Sequence, residues 1–250
     1  MNCYINPAYR NIRDYIITIP TIFDHNGQEI YNQRNVIKVF HAPDGTLLNV
    51  KRYHIPALAN RIIYSIGLRK PKGMRAWTFP LILSNNGIET PEPVAYIEER
   101  QLGLIGFSYF ISIQCTYNHT LYEMAYATQK EYTEMAKALA VFAANMHEKG
   151  ILHRDFTPGN ILWEKSNLGN ILFSLVDINR MTFGKVSHKK GLLNLIKLWG
   201  PKEFIYILTK EYASIRGIPE SKALNIVMNA RAHFWRGYLK KHDFPYTVEI

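Results

Sequence analysis

The sequence predicts an α+β protein in two lobes, mainly β in the N-lobe and mainly α in the C-lobe. Three observations predict it. Short β-branched and aromatic runs punctuated by turn residues dominate the first half, and segments with apolar residues at helical spacing dominate the second. The change falls near residues 115–118 with no Gly/Ser linker to separate the halves. The expected lobes are therefore residues 1–115 and 116–250, and 250 residues suffice for either one large domain or two intimate lobes.

In chain order, FDHNGQEIY carries Asn26-Gly27, a hairpin signal. Residues 35–40 (NVIKVF) and 47–53 (LLNVKRY) flank HAPDG, whose Pro-Asp-Gly is turn chemistry, so a hairpin is expected. Residues 56–65 and 75–83 have helical spacing, with Pro80 expected to kink or end the second. Strands are expected over residues 94–98 and 104–113. Thr128-Gln-Lys-Glu131 has capping-box spacing, after which Met135, Leu139, Phe142 and Met146 recur on one face until Gly150 supplies a C-cap. Further helices are expected at about 188–199, 202–214 and 221–240.

Charge narrows the function classes. Net charge is +10, and the excess is clustered. Residues 45–88 hold no acid and seven bases; residues 178–202 hold no acid and six. Such fields attract anions, whether nucleic acid, an anionic membrane or a phosphorylated substrate, and otherwise form a solvated basic face. Only Cys3 and Cys115 occur, which excludes a disulfide framework and a Cys-x-x-Cys metal knuckle and suits a reducing cytoplasm. MNCYINPAYRNIRDY lacks the build of a signal peptide, and the longest apolar run, residues 102–113, is too short to span a bilayer. Any work at a membrane is expected from its surface.

The chemistry concentrates in HRDFTPGNIL, residues 153–162. After Asn160 come an apolar run, the turn-like EKSNLGN and a second apolar run that stops at Asp177. Read as an antiparallel hairpin, this sets Asn160 just before one strand and Asp177 just after the other, side by side at the open end. A carboxamide oxygen and a carboxylate there are hard ligands suited to Mg2+ completed by substrate phosphates. Asp155, on the Pro-Gly loop, can face the same point and accept the proton of an attacking hydroxyl.

HRDFTPGNIL followed by LVDIN resembles the protein-kinase-like superfamily, its Pro-Gly-Asn version being similar to aminoglycoside and sugar kinases. NQRNVIKVF, LLNVKRYHIPALANRIIYSIGLRKPKGMRAW and TPEPVAYIEERQLGLIGFSYFIS are similar to lipopolysaccharide core kinases that phosphorylate Kdo or heptose, especially a Bacteroidetes-type subgroup. The likeness spans roughly residues 34–199. It implies a two-lobed protein-kinase-like fold and an ATP- and Mg2+-dependent phosphotransferase acting on a sugar hydroxyl, Kdo on lipid A first. It implies Asp155 as the catalytic-loop acid, Asn160 and Asp177 as metal ligands, and Lys51 as the holder of the α- and β-phosphates. The hinge that meets adenine is implied near residues 113–117. The implied setting is peripheral, on the cytoplasmic face of an anionic inner membrane, with no nucleic-acid partner.

The sequence departs from that pattern in three places. Asp177 is followed by Ile-Asn. Thr78 stands where relatives carry the helix glutamate that meets Lys51, and no acid occurs between Asp44 and Glu89. Gly27 is the only glycine before Gly45, and no APE-type segment marks a phospho-regulated protein kinase. Several roles stay open. Lys38 lies in a comparable apolar strand and competes with Lys51. Arg154 and Arg180 either bind substrate phosphate or tether loops by ion pairs. His153 reads as a structural loop histidine, and Trp77 and Phe79 as packing. The rival to a working kinase is a pseudokinase or nucleotide-binding module without turnover; a kinase for another small molecule or a protein is a further alternative.

Overall fold

A computed structural model describes residues 1–249, and the α+β arrangement expected from the sequence is what it contains. The chain divides into two compact units, one over Met1–Thr116 and the other beginning at Tyr117.

The first unit is built on a six-stranded antiparallel sheet of order β1-β5-β6-β4-β3-β2. Its elements run β1 (Asn2–Ile5), α1 (Arg13–Ile22), β2 (Gln28–Asn32), β3 (Val36–His41), β4 (Leu47–Tyr53), α2 (Leu58–Ser65), α3 (Lys72–Asn85), β5 (Pro93–Gln101) and β6 (Leu104–Ile113). The HAPDG hairpin is present, with Gly45 at φ +87° inside it. The Asn26-Gly27 expectation needs correction. That dipeptide joins α1 to β2, and the β2–β3 turn falls instead at residues 33–35. Gly27 is needed for close approach: a Cβ there would lie 2.7 Å from the Phe40 ring, at φ +79°.

The sequence reading missed β1 and α1. Helix α1 sends Ile12, Ile16, Ile19 and Phe23 onto one face of the sheet, where they form a core with Phe40, Leu48, Val50, Ala95, Ile97, Tyr109 and Ile111. Helix α3 covers the opposite face, its Gly73 set against Tyr96 and Tyr53. Of the two outcomes expected at Pro80, a helix end is not what occurs, since α3 continues to Asn85. Pro80 forfeits one helical hydrogen bond but is buried with Ala76 and Leu83, and that burial holds the turn.

Register separates the two candidate lysines. Lys51 pairs with Ile37 across β3–β4, so Lys38, one residue on, points to the other face of the sheet. Lys38 lies on the α1 face, where its ammonium donates to the main-chain oxygens of Phe23 at 2.8 Å and Asn26 at 3.2 Å. It closes the end of α1 and is structural. Lys38→Met should therefore lower stability by about 1.5–3 kcal/mol, the range for hydrogen bonds to a charged group. Denaturant titration of the Lys38→Met protein beside the intact one would show the drop.

The second unit begins with β7 (His119–Thr120) and α4 (Gln129–Glu148), followed by β8 (Ile151–His153), β9 (Ile161–Lys165), β10 (Ile171–Leu175) and β11 (Met181–Phe183). Helices α5 (His188–Asn194), α6 (Lys202–Ile215) and α7 (Glu220–Leu239) complete it. The capping box on α4 is formed, with Thr128 N–H donating to Glu131 Oε2 at 2.7 Å, and Gly150 ends the helix at φ +70°. Met135, Leu139 and Met146 are buried as the spacing predicts. Helix α5 is shorter than expected and passes into a 3-10 turn over Leu195–Lys197.

Candidate active site

The β9–β10 hairpin is antiparallel, and beyond its last pair, Ile161 with Leu175, Val176 N–H donates to Asn160 O at 3.1 Å. Asn160 and Asp177 thus flank the open end of one hairpin. Asp155 joins them from the loop: Asn160 Nδ2 donates to Asp155 O at 2.9 Å and to Thr157 Oγ1 at 3.2 Å. With both amide hydrogens used there, the side-chain oxygen of Asn160 is its remaining acceptor. Asp177 adopts a left-handed backbone, φ +53°, which a non-glycine residue holds only under local constraint. Part of that constraint is buried Asn179, whose Nδ2 donates to Asp177 Oδ1 at 2.5 Å.

The Pro-Gly of the loop has a steric reason. A Cβ at Gly159 would lie 2.7 Å from the Tyr122 hydroxyl, so only glycine fits beneath that ring. Tyr122 in turn leans on Trp199, ring centroids 4.7 Å apart, within an aromatic group that includes Trp235, Phe244 and Tyr246.

The carboxylate of Asp155 sits between two cations. Lys197 Nζ is 3.3 Å from Oδ1, and Arg180 Nη1 is 3.5 Å from Oδ2. Arg180 therefore holds the loop, one of the two roles left open for it. Arg154 is exposed and makes no hydrogen bond or ion pair among the described residues. Sequence reasoning counted Lys197 only as one base of a run, because nothing in its local sequence signals a contact 42 residues back.

A chain of hydrogen bonds supports the loop from below. Arg216 Nη1 donates to Tyr212 OH at 2.9 Å, and Tyr212 meets His147 Nδ1 at 2.8 Å. His147 Nε2 meets Asn194 Oδ1 at 3.1 Å, and Asn194 Nδ2 donates to His153 O at 2.9 Å. His153 completes it, accepting from Asp155 N–H at Nδ1 and donating from Nε2 to Val176 O at 3.0 Å. His153 has one acceptor and one donor nitrogen engaged, which requires a neutral imidazole, and both nitrogens of His147 are hydrogen-bonded. Burial pushes His153 below its ordinary pKa and pushes His147 down to about 4, the latter aided by the charge of Arg216.

That depression has a stability consequence. Above pH 6.5, the ordinary histidine value, both folded and unfolded His147 are neutral. As pH falls from there toward 4, the unfolded chain takes up a proton that the folded one refuses, so stability drops. A shift of this size corresponds to about 3 kcal/mol. Denaturant midpoints measured from pH 7 to pH 4.5 should fall, and His147→Gln should flatten the slope.

In the first unit, Lys51 shares a sheet face with Tyr53, Tyr96 and α3, its ammonium 5.4 Å from the Tyr53 ring centroid. Thr78 turns its hydroxyl back onto Met74 O at 3.1 Å, and α3 carries no acid. The same face bears buried Glu98, which accepts from the Tyr96 hydroxyl at 2.8 Å and from Arg100 Nε at 2.7 Å. Burial, then the Glu98 charge, raises the pKa of Tyr96 and keeps its hydroxyl a donor.

An oxygen from Asn160 beside the Asp177 carboxylate fits Mg2+, which keeps water and phosphate in most of its coordination positions. No group of three or more His, Cys, Asp or Glu side chains suited to a metal occurs among the described residues, so softer transition-metal cages are not offered.

Comparison with known proteins bears on the fold and the family. No curated protein matches in sequence. Among solved structures, WaaP in complex with acyl carrier protein superposes with a TM-score of 0.62 at 14% identity, over 97% of this chain and 100% of that one, which shows a protein-kinase-like fold. The Rio2 kinase–ADP/Mg2+–phosphoaspartate complex from Chaetomium thermophilum follows at 0.49 and 12%, covering 93% of this chain and 73% of that one. The amicoumacin kinase hAmiN in complex with AMP-PNP, Ca2+ and Ami gives the same score and identity over 93% and 79%. A family model described as lipopolysaccharide kinase (Kdo/WaaP) matches residues 31–199, more than half of the sequence, and the chain belongs to that family.

Proposed function

We propose that the protein transfers the γ-phosphoryl group of ATP to a hydroxyl of Kdo in the lipopolysaccharide precursor Kdo-lipid A. The observation that carries this reading is the meeting of Asp155, Asn160 and Asp177 at one end of the β9–β10 hairpin, in a member of a lipopolysaccharide kinase family. Asp155 orients the sugar hydroxyl and accepts its proton as the oxygen attacks the γ-phosphorus and the bond to the ADP oxygen breaks. Asn160 and Asp177 hold Mg2+, which when bound neutralises charge on the phosphate oxygens. Lys51 steadies the α- and β-phosphates, so that residues 1–115 serve nucleotide binding and residues 116–250 supply the catalytic loop, metal ligands and acceptor site. Lys197 and Arg180 fix the Asp155 carboxylate and lie where they can also meet phosphate oxygens.

The basic runs hold the enzyme at the cytoplasmic face of an anionic inner membrane. The three stretches likened to core sugar kinases support placement in a Bacteroidetes-type subgroup.

One observation favours a second reading. Helix α3 presents Thr78 and no carboxylate, which suits a nucleotide-binding pseudokinase. Glu98 is a buried carboxylate on the same sheet face as Lys51, held by Tyr96 and Arg100, and the family match keeps the first reading ahead. Offering Kdo-lipid A and a heptose-bearing core separately with labelled ATP and Mg2+ tests both. Label on the Kdo substrate supports the proposal, label on heptose alone moves the acceptor, and bound nucleotide with no label on either supports the pseudokinase.

A further inference from the structure

Helix α2 is fastened to the sheet by one side only. Tyr64 is buried, Arg61 Nε donates to Ile105 O at 2.6 Å, and Ile105 N–H donates to Ser65 Oγ at 2.9 Å. The opposite side carries Leu58, Ile62 and Ile66 at four-residue spacing, 66%, 43% and 62% exposed, and Leu68 follows at 76%. Three residues from Ile105, the β5–β6 turn holds up Leu102, fully exposed and at φ +50°. Leucine rarely adopts that backbone, and none of the described residues covers it. Five large aliphatic side chains thus lie exposed around one edge of the first unit, and exposed Arg69 and Lys70 follow them directly. No acid occurs in residues 45–88 to offset those charges.

We propose that α2 and the β5–β6 tip are a docking surface for an anionic lipid bilayer, with Leu58, Ile62, Ile66, Leu68 and Leu102 entering the acyl boundary and Arg69 and Lys70 meeting the headgroups. Large aliphatic side chains exposed together along a helix mark an interaction site. A helix with an aliphatic outer stripe and basic residues beside it has the composition of an interfacial anchor, seated ~5–10 Å into the headgroup layer. The chemistry favours lipid over protein. The stripe has no Tyr or Trp of the sort that anchors protein interfaces, and lipid needs no complementary pocket. The inference deepens the reading of a lipid-linked acceptor and rests on it only for its purpose, since binding needs no turnover.

The test is cosedimentation with vesicles of phosphatidylcholine and phosphatidylglycerol in equal parts, beside vesicles of phosphatidylcholine alone. The intact protein should pellet with the anionic vesicles. Leu58→Glu/Ile62→Glu/Ile66→Glu and, separately, Leu102→Glu should weaken this by about tenfold or more while keeping the melting temperature. Arg69→Ala/Lys70→Ala should weaken binding to the anionic vesicles selectively and make the remainder less sensitive to salt. Phosphotransfer to detergent-dispersed acceptor should survive in all these variants; its absence from every protein, with vesicle binding intact, would count against the kinase reading and leave the docking surface standing. Vesicle binding that the α2 variant does not weaken would overturn the proposal. So would the absence of vesicle binding, whether the face then proved to join a second copy, seen as a dimer in sedimentation velocity that the same variant dissolves, or an acidic protein.

Discussion

Asp155→Asn should lower kcat for phosphoryl transfer by about 10³-fold while leaving the KM for ATP and the melting temperature close to those of the intact protein. The direction follows from what the substitution removes. The main-chain groups of Asp155 that position the loop, its N–H on His153 and its carbonyl on Asn160, are untouched by a change of side chain. Only the proton-accepting carboxylate and its two cationic contacts are lost. A drop in kcat and in KM together, or a lowered melting temperature, would mean that the carboxylate acts mainly by holding Lys197 and Arg180 in place.

Lys197→Met should cost about 10²-fold in kcat, the range for removing one charged donor from a preorganised site. Lys197→Arg should recover part of the loss, because a guanidinium reaches the same carboxylate. At one-third exposure the ion pair contributes little to folding, so stability should change by less than about 1 kcal/mol. Rescue by Arg together with an unchanged melting temperature distinguishes a role at the reacting centre from packing of the 3-10 turn.

The parts of the fold legible in the sequence were those whose signals are local. The capping box at Thr128, the stop at Gly150, the Pro-Asp-Gly hairpin and the antiparallel hairpin between Asn160 and Asp177 each depend on residues within about one element of one another. What escaped depends on distant partners. Helix α1 has a visible apolar stripe at Ile12, Ile16, Ile19 and Phe23, but what makes it a core element is a sheet face assembled from strands far along the chain. Lys38 and Lys51 look equivalent in sequence, and only the β3–β4 register turns one toward the end of α1 and the other toward α3. In the candidate site, the placing of Asn160 and Asp177 at the open end of one hairpin was readable from the sequence. Lys197, Asn179 and the Arg216–Tyr212–His147–Asn194 relay were not, because each acts through a contact that no local pattern encodes.

The most direct test of the central claim is mass spectrometry of Kdo-lipid A after incubation with the protein, ATP and Mg2+, beside the Asp155→Asn variant. The account predicts a gain of one phosphate on the sugar portion that the variant does not produce. An unchanged acceptor mass from a preparation shown to bind ATP, or an equal gain with the variant, would contradict it.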